Sequence, residues 1–249
     1  GVKALMYSAE VSGMEEEESE PPGKLEQWLS SHVSDEKLMN IMLTVSVLLG
    51  VGLSLLLFIF LPSFLVGIVN RVVPGGIGLW TMGILEGVLK AAIFVLYLFL
   101  CSRMKDIQRV FCYHGAEHKT IFCYENGLEL TVENVRKQPR HHPRCGTSFL
   151  FMVIAISILV STVVFAIWPV HHVVWRFLAH LAMLPVIVGI SYEFNRWAGR
   201  HDGFVTRILV APGLWLQNFT TFEPDDSMIE VGIKALELVL PENKGEDAW

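Results

Sequence analysis

The sequence predicts an all-α, polytopic integral membrane protein with about four transmembrane helices, a basic cytosolic loop and a C-terminal amphipathic helix. Three observations carry this. First, 52% of the 249 residues are hydrophobic and only 18% charged, and the mean hydropathy is +0.47, beyond the apolar share of a soluble domain. Second, four stretches reach the roughly 20 apolar residues that a helix needs to cross a bilayer core of about 30 Å. Third, basic residues are concentrated between the second and third stretches.

Residues 1–37 form an acidic segment expected in the cytosol. Five of its acids lie in the run "EEEESE" at residues 15–20, a composition that stays solvated. With a formal net charge of -6, nucleic acid is not an expected partner. Residues 38–102 hold two spans, 38–61 ending at Pro62 and about 77–101. The apolar linker "PSFLVGIVNRVVPGGIG" between them is expected to dip into the bilayer or line an internal cavity, where protein shields its backbone.

Residues 103–146 form the basic loop, with eight Lys or Arg against Arg71 alone in 62–76. The positive-inside rule places this loop, and with four spans both termini, in the cytosol. Residues 147–192 are a transmembrane hairpin turning at "PVHH", with spans 147–168 and about 173–192. Residues 193–249 are interfacial and cytosolic helices. In the last, Ser227 and Glu230 stand at capping-box spacing. Ile229, Ile233, Leu236 and Leu240 form an apolar stripe expected to dock on a partner or on the protein itself.

Inside the second span, Glu86 and Lys90 are one turn apart and can neutralise each other, while Gly83 and Gly87 offer a face for close helix approach. Arg176 and His180 make a similar polar stripe in the fourth. The four cysteines, Cys101, Cys112, Cys123 and Cys145, form no CxxC pair and are expected reduced.

The loop carries the chemistry. "YHGAEHKTIFCYENG", residues 113–127, reads as a short helix closed at Asn126-Gly127, and Thr131 reads as the N-cap of a further turn. On a helix His114 and His118 share a face, at the spacing that lets two imidazoles reach one ion, with Glu117 beside them. His-x-x-Glu-His is also the inverted zinc-protease pattern, in which the carboxylate is the general base. "HHPRC" offers His142 and Cys145 as further ligands, and Glu193 is a carboxylate on the same side of the bilayer. The bland alternative is that the imidazoles cap neighbours or, with Lys119 and the loop arginines, hold anionic lipid head groups.

The stretches "YHGAEHKTIFCYENG", "LTVENVRKQPRHHPRCGTSFL" and "APGLWLQNFTTFEPDDSMIEV" resemble the YqhQ-like bacterial membrane proteins, a family of unknown function regarded as predicted metal-dependent enzymes. The resemblance runs from about Gly75 onward. It implies a polytopic inner-membrane protein with a metal site, and its loop motif falls on His114, Glu117, His118, His142 and Cys145. A Gly-rich segment that the family carries upstream of "GVKALMYSAE" is not in this sequence, and His141 stands where an aromatic is expected.

The reading that follows is a multi-pass protein of the cell (inner) membrane acting as a metal-dependent hydrolase at the cytosolic surface. His114, His118, His142, Cys145 and Glu193 are the candidate ligands of a divalent metal, zinc foremost. Glu117 is the candidate catalytic base, and the expected substrate is a lipid or a membrane-embedded peptide. The rival is a non-catalytic homo-oligomeric channel, transporter or assembly factor whose His/Cys loop is structural.

Overall fold

The computed structural model describes residues 7–8, 35–170, 172–201 and 203–241; the acidic run at 15–20 lies outside them. The chain divides into two compact units, Gly1–Leu57 and Phe58–Trp249. In the first lies helix α1, Asp35–Leu55. A π-helical turn, Leu56–Phe60, follows it. The second unit contains α2 (Leu61–Val72), α3 (Leu79–Cys101), α4 (Lys105–Glu125), α5 (Val132–Arg136), α6 (Gly146–Ile167), α7 (Val173–Arg200), α8 (Phe204–Thr220) and α9 (Asp226–Glu237).

The described residues are thus all-helical, and four apolar helical stretches are long enough to span a membrane: Ile41–Val72, Leu79–Cys101, Gly146–Ile167 and Val174–Arg200. A lipid bilayer is the environment these helices suggest. Ile84, Val88 and Leu159 are each more than half exposed, which is stable where the solvent is hydrocarbon.

The first span does not end at Pro62, and the first part of the apolar linker is helical, with residues 73–78 making the turn to α3. Residues 61–72 continue as helix, with Pro62 at the first turn of α2. There its missing N–H is tolerated, and the π turn ahead of it absorbs the break in the hydrogen-bond ladder. The fourth span likewise runs on to Arg200 rather than stopping near Tyr192.

Small residues set the packing of the bundle. A Cβ on Gly83 would meet Thr162 Oγ1 at 2.7 Å, and one on Gly87 would meet Ile158 Cγ2 at 2.5 Å. The Gly-x-x-x-Gly face therefore seats α3 on α6. Phe94 and Leu98 of α3 meet Leu216 of α8 in a shared apolar cluster. Of the two charges of the second span, Glu86 finds its close partners across helices. Glu86 receives Arg176 of α7 as an ion pair, has His180 Nε2 at 3.3 Å, and accepts a hydrogen bond from Ser63. Lys90 turns instead to Ser157 Oγ at 3.3 Å. The guanidinium and imidazole from α7 make the direct contacts to the carboxylate, with Lys90 one turn along the same helix.

Outside the spans, α4 is a 21-residue helix of which the "YHGAEHKTIFCYE" stretch is the last part. Gly127, at φ +67°, ends it, with Leu128 N–H returning to Cys123 O at 3.1 Å as a Schellman closure. Thr131 caps α5, its side chain accepting from Asn134 N–H. The cap of α9 is Asp225, which accepts from Met228 N–H, rather than Ser227. Ser227 donates to the Asp225 carboxylate. The α9 stripe docks on the protein itself: Ile229 joins Ala116, Cys123 and Val135 in a second core, with Ile233 against it.

The chain returns from α8 to α9 by crossing α4 at Gly115. A Cβ there would lie 2.0 Å from the Phe222 carbonyl oxygen, and Phe222 N–H donates to Phe111 O at 2.9 Å, anchoring the crossing segment. Lys119, buried one turn on, is neutralised by Glu223 and donates to Arg136 O at 3.0 Å. In an ordinary helix Gly→Ala is stabilising by about 0.5–1 kcal/mol. Here Gly115→Ala is expected to lower stability by about 1–3 kcal/mol or more, because the obstacle is backbone that cannot yield. Thermal unfolding of the detergent-solubilised variant checks this, and a melting temperature equal to or above wild type would contradict the crossing.

Candidate metal centre

The site is built where α4, the 137–145 loop and the end of α8 meet. His114 and His118 project from the same face of α4, with ring centroids 4.3 Å apart. Each is held by its Nδ1. His114 Nδ1–H donates to Thr220 O at 2.7 Å, and His118 Nδ1–H donates to Arg140 O at 2.5 Å. A carbonyl can only accept, so each ring turns its Nε2 toward the cluster, bare in the neutral ring and a donor when the ring is protonated. A backbone carbonyl on the far nitrogen is the usual orienting partner of a metal-bound histidine. Cys145 is buried at the N-cap of α6 and places Sγ 3.2 Å from His114 Nε2. One ligand atom from each of His114, His118 and Cys145 lies within 4.8 Å of the others.

The set fits a divalent ion. Zn–N and Zn–S bonds of about 2.0–2.3 Å in a tetrahedron separate neighbouring ligand atoms by roughly 3.3–3.6 Å, close to the Sγ···Nε2 spacing here. Two imidazoles and one thiolate leave a fourth position open.

The electrostatics favour the ligating form of the thiol. Burial pushes the Cys145 thiol up, but hydrogen bonds from His114, His118 and the Thr147 amide outweigh it and bring the group down to about 5. Burial works against a charged His114, yet its hydrogen bond with Cys145 and the attraction of that group raise its pKa overall.

The other expected residues are placed differently. Glu117 is exposed at the rim of the cleft that His114, His118 and Cys145 line, a space of about 260 Å³. His142 lines the same cleft but does not join the three ligands. Its Nε2 faces Glu125 at 3.2 Å and its Nδ1 accepts from Arg144 N–H at 3.2 Å, so neither nitrogen is free. Burial holds its pKa below the ordinary value. Glu193 stands apart from the cluster, 68% exposed, with Arg196 of its own helix at 3.9 Å.

One residue that holds the site, Gln217, was not singled out from the sequence. Gln217 is fully buried. It accepts from His142 N–H at 2.8 Å and donates to His142 O at 2.7 Å and Ser148 Oγ at 2.9 Å. It thereby clamps the loop that delivers Arg140 and Cys145. Arg140 donates to Thr221 O at 3.1 Å, tying the loop to the crossing segment. Nothing in the sequence set Gln217 apart from the other polar residues of α8, Thr206, Arg207, Asn218 and Thr220.

Comparison with known proteins follows the same lines. The sequence profile of a family described as "Protein of unknown function (DUF1385)" matches residues 1–242. The chain is 36% identical over 242 residues to "Uncharacterized protein YqhQ" of Bacillus subtilis (strain 168), covering 96% of this chain and 72% of that protein. No solved structure matches. The match extends well upstream of Gly75, where the resemblance in the sequence began, and the chain belongs to the DUF1385 family, as a multi-pass membrane protein with a His/Cys cluster that could hold a metal.

Proposed function

We propose that the protein is a metal-dependent hydrolase working where the membrane meets the cytosol. The observation that carries this reading is the His114, His118 and Cys145 cluster, with both imidazoles fixed through Nδ1 to backbone carbonyls and the cluster facing an open cleft. The cytosolic side is supported by the eight basic residues between the second and third spans.

In this reading His114 Nε2, His118 Nε2 and Cys145 Sγ hold a divalent ion, zinc foremost. A bound ion of this kind supplies Lewis acidity and a water acidic enough to ionise near neutrality. Glu117, at the cleft rim, takes a proton from the attacking water and returns it to the leaving group. His142 is an orienting residue: with Glu125 and Gln217 it fixes the loop that carries Cys145. A lipid or membrane-embedded peptide reaches the cleft from the bilayer.

The non-catalytic alternative draws on a different observation, the buried Glu86, Arg176, His180 and Lys90 in the bundle, since ionisable groups inside spans often mark a transport route. A metal site with four protein ligands would favour that alternative; three with one open position favour the enzyme.

Elemental analysis of purified protein should find one divalent ion per chain, lost in the variant carrying His114→Ala and His118→Ala and kept in Glu117→Gln. Full metal content in the double histidine variant would remove the basis of the proposal. In cobalt-substituted protein, a thiolate-to-cobalt charge-transfer band in the near ultraviolet is expected and should vanish in Cys145→Ser. Its persistence would show that Cys145 is not a ligand. Hydrolysis of lipid esters in mixed micelles should fall about 10²–10⁴-fold in Glu117→Gln, the usual worth of a general base, with unchanged activity arguing against that role.

A further inference from the structure

A second cleft, of about 610 Å³, opens beside the first and uses none of its proposed ligands. Cationic and imidazole groups line it: Arg144, Arg200, Arg207, His141 and His201. Among the described residues no carboxylate lines it, and neither Arg200 nor Arg207 has a described carboxylate within 4.0 Å. His141 Nε2 is buried there without a hydrogen-bond partner. His201 gives its Nδ1 to Trp197 O at 2.8 Å and stacks on the Trp197 ring, which leaves its Nε2 for another group. The rest of the lining includes Val210 and Leu214 of α8.

Position adds a second constraint. Arg200 is the last residue of the span Val174–Arg200, and Cys145 immediately precedes the span Gly146–Ile167. The two spans form an antiparallel hairpin, so both clefts stand at the same membrane surface. Phe204, Val205, Ile208 and Trp215 on α8 are each more than half exposed beside this cleft, as expected of a helix lying in the interface. Arg144 lines both clefts. Its aliphatic stem passes 3.5 Å from where a Cβ on Gly199 would stand, and its guanidinium meets Glu125 at 2.9 Å.

A cleft that is cationic at its polar wall, apolar along its helix and level with the interface suits a particular ligand: an anionic head group with hydrocarbon attached. Guanidinium groups match phosphate oxygens two at a time. A peptide would also need partners for a run of backbone amides, and beside its cations and imidazoles the described lining offers two polar side chains, Asn195 and Thr206. We infer that this cleft binds the phosphate of a membrane lipid, with Arg200 and Arg207 as its principal anion contacts and Arg144 linking it to the metal cleft. That this lipid is the hydrolase's substrate rests on the reading given above; that it binds does not.

The test uses the full chain in phosphatidylcholine nanodiscs doped with phosphatidic acid, with retained lipid counted by native mass spectrometry and metal content measured on the same samples. Wild type should retain phosphatidic acid over phosphatidylcholine by about tenfold or more, as befits charge-assisted hydrogen bonds. The double variant Arg200→Gln, Arg207→Gln should lose that preference while keeping its metal, and Arg200→Lys, Arg207→Lys should keep part of it. Millimolar inorganic phosphate should not displace the lipid. Equal retention of the two lipids by wild type, or a preference unchanged in the glutamine variant, would overturn the proposal. So would arginine-dependent binding of inorganic phosphate with phosphatidic acid excluded. Lipid preference in a protein that binds no metal would leave this site standing and remove only its catalytic use.

Discussion

The candidate centre depends on one close approach of backbone to backbone, the crossing of α4 by residues 220–223 at Gly115. With no Cβ in the way, the Phe222 carbonyl rests on the helix. That fixes the Thr220 carbonyl against His114 Nδ1 on one side and Glu223 against Lys119 on the other. The crossing also sets α9 down on α4, where Ile229 closes a core with Ala116 and Cys123. A buried lysine without its carboxylate, or an imidazole without its carbonyl, would each carry a desolvation penalty. The three contacts therefore hold or fail together.

Around this crossing the protein fixes its candidate ligands mostly with neutral and backbone groups. Thr220 O and Arg140 O set the two ring tautomers, and Gln217 ties both backbone groups of His142 to α8. Such partners orient an imidazole without adding charge to it. The charged residues lie one layer further out: Glu125 joins His142 to Arg144, and Arg144 reaches the neighbouring cationic cleft. The two clefts are thus mechanically connected through the short loop that precedes α6.

The sequence disclosed what depends on local pattern. Apolar run length located the spans, i,i+4 spacing located His114 and His118, and the "HHPRC" stretch brought Cys145 into the candidate set. Gly83 and Gly87 declared a close helix contact for the same reason. What escaped notice depends on distant backbone. Nothing in "LQNFTTFE" announces that the Thr220 carbonyl will orient an imidazole 106 positions earlier. Glu193 was drawn in by lying on the same side of the bilayer, and that does not fix where a helix turns its side chain. That helix continues past Pro62 to Val72 was not legible, because Pro62 follows a π turn, a local defect that no apolar pattern signals.

X-ray absorption at the metal edge of the purified, membrane-reconstituted protein tests the central claim most directly, because it counts the atoms around the ion. The account predicts one sulfur and two imidazole nitrogens, with the remaining position filled by a light atom from solvent. An all-oxygen shell, a shell without sulfur, or protein that carries no ion at all would contradict it.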